Sequence, residues 1–227
     1  DNAIPVESFA VVVVSDEKKA REALEKFGDD LKNEYRTPDP DVTLCVESAA
    51  PTVLPMTNAD SEKVVTLLTC MPNGLIELSM DVAGLPQTSL NLGILTTSEN
   101  EVSASFCVRS SVSSQKEMLK KRLTRMTALL GGTVSYFGEY PAWEFKSDSP
   151  ILKLCADVYE KKFGKKPVIT AIHGGLECGL FSEKMPGLDC VSFGPDIFDI
   201  HTPREKLSVS SLNRTWEFLL EVLKEMK

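Results

Sequence analysis

Three stretches in succession, GLIELSMDV at 74–82, TSLNLGILTTSE at 88–99 and EVSASFCVRSS at 101–111, alternate polar with apolar side chains. A period of two puts one set of side chains on each side of an extended backbone, so each stretch predicts a strand with one face toward a core. Glu99 and Asn100 supply a turn, and the last two strands therefore run antiparallel. An amphipathic helix follows from about Ser114 to Leu130 and ends at Gly131 and Gly132. A sheet and a helix that each carry one apolar face bury them together, which predicts an α+β layer: helices on one face of a largely antiparallel sheet.

The flanking stretches extend this layer. Residues 9–14, FAVVVV, read as a buried strand because consecutive β-branched side chains resist helix. Residues 15–35 read as a helix capped by Ser15 or Asp16, with Ala20, Leu24, Phe27 and Leu31 as its apolar stripe. Pro38 and Pro40 make 36–41 a turn, 42–49 reads as a strand, 58–72 as a second helix and 133–138 as a short strand. At YPAWEFKSDSP, 140–150, the pattern changes and a boundary is expected. Beyond it come a helix with proline in its first turn, a strand in KPVITAI, a short helix in ECGLFSEK, a strand in LDCVSFGP and a long terminal helix striped by Trp216, Leu219, Leu220 and Leu223. That order of elements has α/β character.

Composition narrows the function. Thirty-three acidic against 25 basic side chains give a net charge of -8, which argues against a phosphate-backbone binder. The basic run KKRLTR at 120–125 alternates with apolar residues and reads as the wet face of a helix, not as a nucleic-acid surface. No apolar run approaches the roughly 20 residues needed to cross a bilayer. The six cysteines form neither a CxxC pair nor a closely spaced set; buried free thiols in a reducing cytosol, hence a cytoplasmic location, are expected. There is no HExxH, no GxGxxG after a strand and no phosphate loop.

A few residues could carry chemistry. His201, one of only two histidines, sits in PDIFDIHTPREKLS with Asp199 and Glu205 nearby. It reads either as a metal ligand or acid/base group oriented by those carboxylates, or as a surface histidine with no task. His173 precedes Gly174 and Gly175, where backbone N–H groups are open to a substrate, and Glu177 faces the same mouth if a helix starts at Gly175. A tight strand-to-helix connection is the plain alternative. Cys178 lacks a positioned base and reads as core. Arg109 ends a strand, where a guanidinium either clamps a carboxylate through two parallel hydrogen bonds or marks the solvated end.

Taken together, DNAIPVESFAV, SLNLGILTTSENEV, CVRSSV, YPAW, IHGGLECGLF, MPGLDCVSFGP and HTPREKLSVSS resemble the aminoacyl-histidine (Xaa-His) dipeptidase family. These are zinc-dependent exopeptidases that insert a lid domain into a catalytic domain. The resemblance runs from one end of the chain to the other. It implies that residues 1–142 are the later part of a ferredoxin-like lid, which also supports a homodimer, and that 143–227 are the closing segment of an α/β zinc-exopeptidase catalytic domain.

The resemblance also implies roles. His201 looks like the last ligand of one of two zinc ions, and Arg109, helped by Asn2, looks like the lid group that binds the terminal carboxylate of a dipeptide. Gly174, Gly175 and Glu177 are similar to the segment lining the substrate pocket. In that family the remaining metal ligands and the general-base glutamate belong to a stretch that precedes these motifs. The chain is therefore expected to be about half of a longer polypeptide, inactive alone, with zinc bound weakly or in part and the missing half as its first partner. A non-catalytic self-association module is the other reading.

Overall fold

The computed structural model describes residues 3–50, 53–172, 176–200 and 202–226. They fall into two compact units, Pro5–Leu68 and a larger one made of Asp1–Ile4 with Thr69–Lys227.

In the smaller unit, α1 spans Glu17–Tyr35. Asp16 caps it by accepting from the Lys19 amide at 3.1 Å, and Glu17 adds a negative charge at the positive helix end. The extended stretch after the proline turn lies along this helix. Arg21 reaches the Val46 carbonyl at 3.4 Å and the Ser48 hydroxyl at 2.7 Å, while Leu44 packs over the buried Gly28. Helix α2, Asn58–Cys70, opens with Thr57 and Asp60 bonding each other reciprocally at 2.8 and 3.2 Å.

In the larger unit, β1 (Gly74–Leu78), β2 (Pro86–Thr97) and β3 (Val102–Ser110) form an antiparallel sheet in that order. Thr88 lies opposite Ser110 and Leu90 opposite Val108, with a register shift only beyond Leu92 on β2. Helix α3, Ser113–Leu129, packs on β3. Leu90, Leu119 and Thr88 are buried to 2% or less, and the Thr88 and Ser110 hydroxyls satisfy each other at 2.9 Å. The expected sheet with a helix on one face is thus present. Lys120 of the basic run is engaged by Glu139 at 2.8 Å and Glu117 at 3.2 Å, which tie the chain after α3 back to it.

A second core joins α4 (Pro150–Phe163) to α6 (Val209–Glu225). Cys155, Val158, Phe218 and Val222 form its centre, and Phe218 stands edge-on to Tyr159 and Phe193 at ring distances of 5.6 and 4.9 Å. Ser149 caps α4, and Gly164 ends it in the left-handed conformation at φ 68°. Between them lie α5 (Glu177–Lys184) and a two-residue hairpin, β4 (Ile197–Phe198) with β5 (Lys206–Leu207).

Five expected strands do not form ladders. Residues 9–14, 42–49, 133–138, 166–172 and 188–195 are extended or irregular, and no described residue pairs with them. Their side chains favour extended backbone, but a strand also needs a neighbour for its N–H and C=O groups. The run at 9–14, expected to be buried, is open: Phe9 is 90% exposed and Val11 71%. No helix among the described residues is long and apolar enough to cross a membrane.

Candidate functional site

Strand β3 positions Arg109. Opposite partners in an antiparallel pair share a face, so Ser89 with Arg109 and Asn91 with Cys107 occupy the face of the sheet away from buried Thr88, Leu90 and Ser110. All four are half-buried. The chain at Ala3 comes onto this face, because the Asn91 side-chain amide donates to the Ala3 carbonyl at 3.1 Å. Sequence reasoning singled out Arg109 but not Asn91. The signal available was a carboxamide standing among leucines in SLNLG.

Helix α5 positions Glu177, which is its first residue and is exposed. The helix is clamped by Gly179: a Cβ there would lie 2.8 Å from the Pro141 carbonyl oxygen, so only glycine permits this approach to 141–143. Cys178 is half-buried beside it. Burial, then the neighbouring Cys190 thiol and the Glu177 charge, push the Cys178 thiol above its ordinary value. A thiol held protonated is the reverse of an activated nucleophile.

Hairpin β4–β5 frames residues 199–205. Asp199 takes a left-handed φ of 51°, and its carbonyl accepts from both the Thr202 amide at 3.2 Å and the Thr202 hydroxyl at 2.7 Å. The base of the hairpin is fixed to α6: the Asp196 amide donates to the Ser211 hydroxyl at 2.8 Å, and Arg214 pairs with the Asp196 carboxylate at 3.5 Å. Asn2, His173, Gly174, Gly175 and His201 lie outside the described residues.

Among the described residues, then, Arg109 is joined by Ser89, Asn91 and Cys107, whereas Glu177 stands on a separate helix, α5. No group of three or more His, Cys, Asp or Glu residues among them could hold a metal ion. The described residues alone therefore do not fit a metal, and the chemistry they offer is recognition: a guanidinium fork matches a carboxylate through two charge-assisted hydrogen bonds. A groove of about 440 Å³ along α1, lined by Arg21, Leu24, Glu25 and Leu44 among others, contains none of the expected site residues.

Comparison with known proteins extends this picture. Residues 4–225 match the model of Peptidase family M20/M25/M40. The chain is 34% identical over 227 residues to the cytosol non-specific dipeptidase of Escherichia coli (strain K12), spanning 99% of this chain and 47% of that protein. The crystal structure of aminoacylhistidine dipeptidase from Vibrio alginolyticus superposes with a TM-score of 0.83 at 35% identity, covering 92% of this chain and 42% of that one. Aminopeptidase PepT from Bacillus cereus ATCC 10987 shares the fold at a TM-score of 0.54 and 20% identity, over 73% of this chain and 44% of that one. The chain thus spans about half the length of the relatives it matches, and with nearly all of its residues inside the matching region it belongs to Peptidase family M20/M25/M40.

Proposed function

We propose that this chain is about half of a metal-dependent dipeptidase that hydrolyses Xaa-His and related dipeptides, and that its part in the reaction is to recognise the substrate. Residues 1–142 are the later portion of a lid that also mediates homodimerisation, and 143–227 close the catalytic domain. Arg109, with Asn2, binds the terminal carboxylate, while Gly174, Gly175 and Glu177 line the pocket. His201 contributes one nitrogen to a two-zinc centre whose other ligands, like the general base, come from outside this chain. The location is cytoplasmic.

The observation that carries this reading is the family match over residues 4–225, with two dipeptidases at 34 and 35% identity. The placement of Arg109 supports it: a half-buried cation on this sheet face discriminates a free C-terminus from an internal peptide bond by charge. Zinc-supplemented assays with a dipeptide ending in histidine test the proposal. The chain alone gives no turnover, and co-expression with the complementary half of such a dipeptidase restores it. Robust hydrolysis by the chain alone contradicts the division of labour.

A further inference from the structure

Arg109 is a long side chain on an edge strand, and a guanidinium recognises a small carboxylate well only when its surroundings are held in place. The Asn91 amide donates to the Ala3 carbonyl at 3.1 Å across 88 residues of sequence. Asn91 lies on the central strand of the sheet, opposite Cys107 and therefore diagonal to Arg109 on the same face. Such diagonal neighbours stand ~7–8 Å apart. An apolar residue at 91 could not donate to the Ala3 carbonyl.

We infer that Asn91 is a positioning residue for carboxylate recognition: it tethers the chain at Ala3 to the face that presents Arg109, and so holds the surroundings of the guanidinium in place. This inference rests on the proposed role of Arg109. The ligand class is a small peptide with a free C-terminal carboxylate. Asn91 acts through the Ala3 carbonyl and does not itself touch the substrate.

The test uses the chain itself, labelled for NMR and titrated with glycyl-histidine and, separately, with its C-terminal amide. Wild type shifts the Arg109 side-chain N–H resonance with the free acid and not with the amide. Asn91→Leu and Asn91→Asp both remove the donor, and each weakens binding of the free acid by about 3- to 10-fold, the range of one net hydrogen bond. The Ala3 carbonyl carbon shift moves in both variants, while the methyl resonance of buried Leu119 stays in place and shows that the sheet is intact. If neither variant weakens binding, or if only the aspartate does, the tether has no role in recognition. If Arg109→Ala leaves wild-type selectivity for the acid unchanged, the reading of Arg109 itself fails, which separates that failure from failure of the tether.

Discussion

At the scale of single residues, environment rather than identity decides which groups are available for chemistry. Cys178 stands beside the stretch that most attracts a catalytic reading, yet burial, the Cys190 thiol and Glu177 all disfavour its thiolate. Cys155, in the core of α4 and α6, is pushed up by burial alone. Cys45 and Cys70 are exposed, contrary to the expectation that the thiols are mostly buried, although all six are free. Iodoacetamide labelling followed by peptide mass mapping at pH 7.5 therefore modifies Cys45 and Cys70 first and Cys178 and Cys155 last; early labelling of Cys178 contradicts this order. Arg109 was readable as a candidate because a charge interrupts an apolar alternation. Asn91 was not, because its partner Ala3 is remote in sequence and uncharged.

At the scale of elements, most helices and the central sheet were legible. Residues 88–99 and 101–111 carry their period of two into β2 and β3, the cap at Asp16 starts α1 as expected, and the proline expected in a first turn opens α4. The strands expected at 9–14 and 166–172 were legible only as extended backbone, since a ladder depends on a partner that local sequence does not name. The β4–β5 hairpin was missed because each strand is two residues long. One contact ties these elements together in a testable way. The Asp189 carboxylate accepts from the Ile151 amide at 3.0 Å, at the positive end of α4. Burial acts to raise this carboxyl, but the bonds from Ile151 and Ser149 and the charge of Lys146 leave it below its ordinary value. A depressed carboxyl contributes stability above its unfolded pKa and loses it as pH falls through the folded value. Asp189→Asn accordingly lowers the unfolding free energy by about 1 kcal/mol at pH 7, and the difference disappears on acidification below the ordinary aspartate range, as measured by urea melts at a series of pH values.

At the scale of the molecule, apolar surface is abundant. Phe9 is 90% exposed, Val168 93% and Trp216 59%, the last on the opposite side of α6 from buried Phe218 and Val222. Extended runs that pair with no described residue and a helix with a second apolar stripe are surfaces that other polypeptide covers in a stable protein. On the proposed reading, the complementary half of the dipeptidase covers them. Co-expression with that half then raises the midpoint of thermal unfolding and reduces aggregation of the chain, which light scattering during a thermal ramp measures; no change with the half present contradicts it.

The claim that this chain reads the substrate's carboxylate is tested most directly by Arg109→Lys in the reconstituted dipeptidase, with KM and kcat measured for a dipeptide and for its C-terminal amide. Lysine keeps the charge but loses the two-pronged geometry, so the account predicts a KM for the free acid raised by about 10- to 100-fold. It also predicts that kinetics with the amide are unaltered. An unchanged KM for the free acid, or an equal loss for acid and amide, would contradict the account.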